Sequence, residues 1–203
     1  MAANTKTNRP LRQIAEAFEE LALALKSGSG DIQLAPFCRA CSRVSVLFGY
    51  LGIAFKFAEK DFVDKIQSLT EASSSSATLQ ALVDSDIKSG SVRGGSYSNN
   101  LLLVKRGLDM VKVLFERLLV TRGSSLRDPA SVAYAQVLAP HHGWAIRKVV
   151  AAGMYTLPTK SQLLKKLNED EASARVDMQK YINASASILQ YVNNLFLSRN
   201  LDI

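Results

Sequence analysis

Four side chains of this sequence are best placed to do chemistry. They are an aspartate and a lysine one helical turn apart, an arginine inside an apolar helix and a histidine beside a proline: Asp61, Lys65, Arg106 and His142. Asp61 and Lys65 lie in LFGYLGIAFKFAEKDFVDKI, a helical stretch whose wet side is Lys56, Glu59, Lys60, Asp64 and Gln67. Their helical angles set them instead on the apolar arc with Ala54, Phe57 and Ala58. Two readings stand. One is a solvated i,i+4 bridge worth roughly a few tenths of a kcal/mol; the other is a polar pocket lined by apolar neighbours. Arg106 projects from the wide apolar side of NNLLLVKRGLDMVKVLFERLL, flanked by Leu103, Met110 and Val113. An unpaired buried guanidinium is expensive, so the fold should supply a carboxylate, an anionic ligand or both. His142 follows Pro140 and reads either as a satisfied core histidine or as a functional one. No G-x-S-x-G elbow, H-E-x-x-H pair or G-x-x-x-x-G-K-[ST] loop occurs, which leaves hydrolase and nucleotide chemistry unsupported.

The elements that must position these groups are helical. Asn99–Leu119 organises the chain: Leu101, Val104, Leu108, Val111, Phe115 and Leu118 form one stripe, with Leu103, Gly107, Met110 and Leu114 beside it. Only Lys105, Asp109, Lys112 and Glu116 form a narrow edge expected to be solvated. An amphipathic helix is expected over 9–26, a second from about Asp31 to Phe48, and a third to about Ala72 with Leu51, Phe55, Ala58, Phe62 and Leu69 buried. A shorter helix over Thr78–Ser89 precedes the loop Gly90–Ser98. Asp128-Pro129 reads as an N-cap and N1 pair, Pro140 as an interruption, and Thr159-x-x-Gln162 as a capping box. A last helix over about Glu169–Arg199 carries Val176, Ile182, Ile188, Val192, Leu195 and Leu197. The expectation is one all-α domain over 1–203, of about eight helices, with residues 1–8 as a flexible leader.

Lys plus Arg exceed acids by 25 to 18, and Ser131–Asn168 holds no carboxylate while carrying Arg147, Lys148, Lys160, Lys165 and Lys166. Such a face suits an anionic membrane surface or nucleic acid, with plain solubilising charge as the alternative. The start, MAANTKTNRP, lacks the apolar core of a signal peptide, and no apolar run approaches the ~18 residues of a membrane span. A cytosolic protein is expected. Cys38 and Cys41 have no second ligand pair and read as core residues, so no metal or cofactor is expected.

The segments LFGYLGIAFKFAEKDFVDKI, LLLVKRGLDMVKVLFE and YAQVLAPHHGWAIRKVVAAGMYTLPTKSQLL resemble the glycolipid transfer protein family, closest to its plant accelerated-cell-death branch, which carries ceramide-1-phosphate. The combination of D-x-x-x-K, V-K-R-G-L and H-G-W is specific, and the resemblance spans nearly the whole chain. It implies a two-layer helical sandwich that sheathes one sphingolipid and does no covalent chemistry. Asp61 would accept from the ceramide N–H and hydroxyl, and His142 would donate to its carbonyl. Lys65 and Arg106 would meet a phosphate, with Arg106 also steadying Asp61. Trp144, Arg147 and Lys148 resemble a membrane-docking patch, against the alternative of a partly buried core tryptophan. The implied partners are a sphingolipid and, transiently, a membrane surface, without nucleic acid; a monomer is expected.

Two positions depart from the family pattern. The phosphate-binding branch carries arginines where this chain has Asn99 and Leu103, and the glycolipid branch carries a tryptophan where it has Leu103 and an asparagine where it has Lys65. Each missing charge-assisted contact would cost ~1.5–3 kcal/mol, unless Arg93 or backbone N–H groups compensate. The resemblance therefore points first to ceramide-1-phosphate. It leaves open a glycosylceramide carrier, a sensor with a degenerate headgroup site, or an all-α scaffold with a vestigial pocket.

Overall fold

The structure, a computed structural model, describes residues 8–28, 30–92 and 94–202. Of the expected leader over 1–8, residues 1–7 lie outside the described residues, as does Arg93. Nine α-helices are present among the described residues: α1 (Pro10–Ser27), α2 (Leu34–Tyr50), α3 (Lys56–Ala72), α4 (Leu79–Ser89), α5 (Tyr97–Val120), α6 (Arg127–Val137), α7 (Trp144–Gly153), α8 (Lys160–Lys166) and α9 (Glu171–Leu197). Short 3₁₀ turns at Ile53–Phe55, Ala139–His141 and Met154–Thr156 join some of them. The count exceeds the expected eight by one, because Pro140 sits in a 3₁₀ turn that parts α6 from α7.

Local chemistry explains most boundaries. Ser96 Oγ accepts the Asn99 N–H at 3.0 Å and starts α5. Thr159 and Gln162 form the expected reciprocal capping box of α8. Gly90 closes α4 in the left-handed region, at φ 67°. The expected cap at Asp128 is not formed. α6 begins two residues earlier, Ser125 Oγ accepts the Arg127 N–H at 3.1 Å, and Asp128 stays exposed in the first turn.

Packing runs in a closed circuit: α1 on α9 and α2, α2 on α3, α3 on α5, and α5 on α9, with α6 and α4 also against α5. This circuit makes a two-layer helical sandwich with α5 enclosed between its neighbours. Tyr181 of α9 keys the layers together. Its ring meets Phe18 and Phe115 edge-on at 4.9 and 5.5 Å, and its hydroxyl donates to the Leu108 carbonyl at 3.0 Å. α1 and α9 run parallel, since Arg9–Glu169 and Asp31–Tyr191 each join residues 160 apart in sequence.

α3 and α5 run antiparallel, with Phe62 against Gly107 and Asn100 Nδ2 donating to Ser68 Oγ at 3.0 Å. A Cβ built on Gly107 would lie 2.7 Å from Phe62 Cε2. The glycine in V-K-R-G-L is what lets these two helices approach.

The apolar stripe of α5 is buried as expected, from Leu101 at 0% exposure to Phe115 at 2%. Its expected wet edge is wet only in part: Asp109, Lys112 and Glu116 are partly exposed. Lys105 is buried, its ammonium 3.9 Å from Asp109, because α6 and α9 cover the flank that periodicity alone left open. Burial lowers the Lys105 pKa, and Asp109 partly offsets that. In α9, Ile182, Ile188, Val192 and Leu195 are buried, but Val176 and Leu197 are exposed on the flank away from α1 and α5. α2 begins at Leu34 rather than Asp31; Asp31 instead caps its own loop by accepting the Ile32 N–H at 2.7 Å. Cys38 and Cys41 are buried as expected, and burial raises both thiol pKa values.

Candidate functional site

The antiparallel register of α3 and α5 sets the site. Phe62 opposite Gly107 and Ser68 opposite Asn100 bring Lys65 level with Leu103 and Asp61 level with Gly107, next to Arg106 in sequence. The i,i+4 spacing then pairs Lys65 Nζ with Asp61 Oδ1. The pair matches neither sequence alternative entirely. Lys65 is sheltered, its side chain 16% exposed, while Asp61 looks outward at 67%.

Arg106 is half-buried and has no ion-pair partner among the described residues. Desolvation lowers its pKa, with no carboxylate to oppose the shift. The expected pairing of Arg106 with Asp61 is thus absent, since Asp61 is held by Lys65. The demand for an anion that Arg106 raised in the sequence persists in the fold.

His142 is delivered by the 3₁₀ turn at Pro140. Its Nδ1 lies 2.9 Å from the Tyr134 hydroxyl, and the two rings pack with centroids 5.6 Å apart. Tyr134, on α6, is buried, and burial raises its phenol pKa, so it stays protonated. A phenol donates more readily than it accepts, which favours the tautomer with the proton on Nε2. Burial lowers the His142 pKa, with Arg147 and Arg106 adding to the fall and Asp61 opposing it. Asp61, Arg106 and His142, far apart in sequence, therefore share one electrostatic neighbourhood. Tyr134 was missed in the sequence, where nothing but its position eight residues before His142 could have marked it.

Asn99 and Leu103, on the same stripe of α5 two turns and one turn before Arg106, are half-buried and uncharged. Beside the site, α7 buries only Val150. Trp144 is 74% exposed and Ile53, in the turn before α3, 88%. The core-tryptophan alternative is not what the fold shows. Phe57, Ile146, Val149 and Tyr155 are exposed as well. Gly153 brings the end of α7 to the Ile53–Phe55 turn, a Cβ there lying 3.5 Å from Ala54 Cβ. Arg147 Nε donates to the His142 carbonyl at 2.8 Å, and Lys148 Nζ sits 5.9 Å from the Trp144 ring. Arg127 lies over the Tyr155 ring at 3.8 Å.

A surface concavity of about 500 Å³ opens between α1 and α2, bordered by Glu16, Glu20, Arg39 and Arg43. No residue of the Asp61–His142 group lines it. Among the described residues no cluster of three His, Cys, Asp or Glu side chains could hold a metal ion. No described helix is long and apolar enough to cross a membrane.

Comparison with known proteins agrees with this arrangement. Residues 32–169 match the model of the glycolipid transfer protein (GLTP) family. Accelerated cell death 11 of Arabidopsis thaliana is 54% identical over 99% of this chain and 98% of its own length. The ceramide-1-phosphate transfer protein of Danio rerio is 30% identical over 74% of this chain and 78% of its own. The crystal structure of the apo form of the Arabidopsis protein superposes with a TM-score of 0.90, at 55% identity, covering 95% of this chain and all of that one. A point variant of the same protein, crystallised with C12 ceramide-1-phosphate, gives 0.94 at 54% identity over 97% of this chain and 98% of its own. The chain belongs to the glycolipid transfer protein family.

Proposed function

We propose that this protein is a carrier that lifts a single sphingolipid, ceramide-1-phosphate in the first instance, from one membrane and releases it into another. The observation that carries this is the half-buried Arg106, without an ion-pair partner among the described residues, grouped with Asp61, Lys65 and His142 beside an exposed aromatic and cationic helix. The Arabidopsis relative crystallised with ceramide-1-phosphate supports the choice of ligand.

Each residue has a task that its chemistry suits. Asp61, facing outward, accepts from the ceramide N–H and hydroxyl. His142, its Nδ1 engaged by Tyr134, donates from Nε2 to the amide carbonyl. Arg106 and Lys65 take the phosphate, and the lipid anion supplies the partner that Arg106 lacks. The acyl chains enter the apolar sandwich. Burying a methylene is worth about 0.8 kcal/mol, so a lipid with ~30 of them meets a desorption cost of order 20 kcal/mol in water. A protein sheath lowers that barrier without breaking a covalent bond, and neither catalysis nor a cofactor is invoked.

Trp144, Ile53 and the neighbouring apolar side chains insert at the bilayer interface while Arg147 and Lys148 meet anionic headgroups. The protein works as one domain and one copy, in the cytosol, with transient membrane contact and no nucleic acid.

The test is vesicle-to-vesicle transfer of labelled ceramide-1-phosphate by the native chain and by Asp61→Val. The native chain is expected to move the lipid and the variant to lose that activity while melting as the native protein does. A variant that unfolds would instead mark the Asp61–Lys65 bridge as structural. Failure of the native chain to move or retain any sphingolipid would favour a scaffold with a vestigial pocket.

A further inference from the structure

The charge present at the headgroup end of the site limits what can bind there. Asp61 neutralises Lys65, leaving Arg106 as the cation without an ion-pair partner among the described residues at that level of α3 and α5. The neighbouring positions on the stripe are Leu103, level with Lys65, and Asn99, whose side-chain amide has no hydrogen bond among the described residues. Lys105 is buried, its ammonium already beside Asp109. Both imidazoles, His141 and His142, have lowered pKa values and stay neutral at physiological pH. Arg147 gives its Nε–H to the His142 carbonyl and lies on the exposed face of α7, where it serves the membrane surface. The group of Asp61, Lys65 and Arg106 therefore carries a net single positive charge.

Resting on the carrier reading above, we infer that the site is matched to a ceramide phosphodiester: one negative charge at phosphorus, with a neutral hydroxyl-bearing alcohol as its second substituent. A phosphate monoester carries about 1.5 to 2 negative charges near pH 7, whereas a diester carries one. The second charge of a monoester would be desolvated beside Leu103 with no further cation to meet it among the described residues. The Asn99 amide offers one acceptor and two donors to an alcohol, one turn beyond Leu103.

The experiment is competitive transfer at neutral pH between phosphatidylcholine vesicles, with labelled inositol-phosphoceramide, ceramide-1-phosphate and glucosylceramide offered in parallel. The native chain should move the diester roughly tenfold faster than the monoester, and the neutral glycolipid more slowly than either. Leu103→Arg adds a cation at that level and should invert the order of the two phosphates. Asn99→Ala should slow the diester several-fold and lower the ratio of diester to monoester transfer. Faster monoester than diester transfer by the native chain overturns the inference while leaving the carrier intact. So does an unchanged ratio in a folded Leu103→Arg variant, or neutral lipid moving fastest. Transfer of no sphingolipid at all overturns the carrier reading and the inference with it.

Discussion

Tyr134→Phe isolates one hydrogen bond. The phenol of Tyr134 is the group within bonding distance of His142 Nδ1, at 2.9 Å, and the phenylalanine ring keeps the packing against the imidazole. Removing a neutral hydrogen bond costs about 0.5–1.5 kcal/mol. For a domain of this size 1 kcal/mol moves Tm by about 2–4 °C, so a fall of roughly 1–6 °C is expected. Function should suffer more specifically. Freed from the phenol, His142 populates both tautomers and can turn its acceptor nitrogen toward the lipid carbonyl. If about 1 kcal/mol of the His142–amide contact is lost, affinity falls about fivefold. Vesicle transfer measures that loss, and ¹⁵N chemical shifts of the imidazole report the tautomer directly. Were the Nε2–H tautomer to persist in Tyr134→Phe with transfer unchanged, the reasoning about His142 orientation would be wrong.

Other perturbations follow from the same geometry. Asp61→Val should abolish transfer yet shift Tm by no more than about 4 °C, because an i,i+4 bridge with one exposed partner is worth at most ~1 kcal/mol. Gly107→Ala should reverse the usual sign: a mid-helix glycine-to-alanine change gains about 1 kcal/mol in helix propensity, but here the Cβ meets Phe62, and overpacking of about 1–3 kcal/mol should lower Tm in a thermal melt. Trp144→Ala should leave Tm unchanged, given its 74% exposure, and reduce binding to anionic vesicles by roughly tenfold or more in a sedimentation assay. His141 and His142 both have lowered pKa values, by burial first. The unfolded chain therefore takes up protons before the folded one, so the stability they contribute is complete above about pH 6.5 and is lost as pH falls through their folded values. Melts on either side of that window should show a lower Tm in acid, with a smaller difference when both are replaced by glutamine.

Much of the fold was legible because its signals are local. The stripe of α5, the capping box at Thr159, the interruption at Pro140 and the long final helix all follow from spacing within a turn or two. The misreadings arise where a second helix decides. Lys105 looked solvated until α6 and α9 covered its flank, and Val176 and Leu197 looked buried with no neighbour to cover them. The site divides the same way. Asp61, Lys65, Arg106 and His142 could be singled out by type and spacing. That Lys65, not Arg106, holds Asp61, and that Tyr134 orients His142, depends on helix register and on a turn geometry that no periodicity encodes.

The parallel pairing of α1 with α9 has a consequence for how the chain reaches its fold. Phe18 at 0% exposure needs Tyr181, and Arg9 needs Glu169 160 residues further on. Synthesis delivers α1 before α9, so the apolar face of α1 must wait on the ribosome with only α2 against it. Long-range closure of this kind slows folding, and the entropy of closing so large a loop is recovered only when α9 docks. Chains stalled before α9 should therefore display α1 to chaperones and proteases, and docking of the final helix should be the step that commits the protein to its native state.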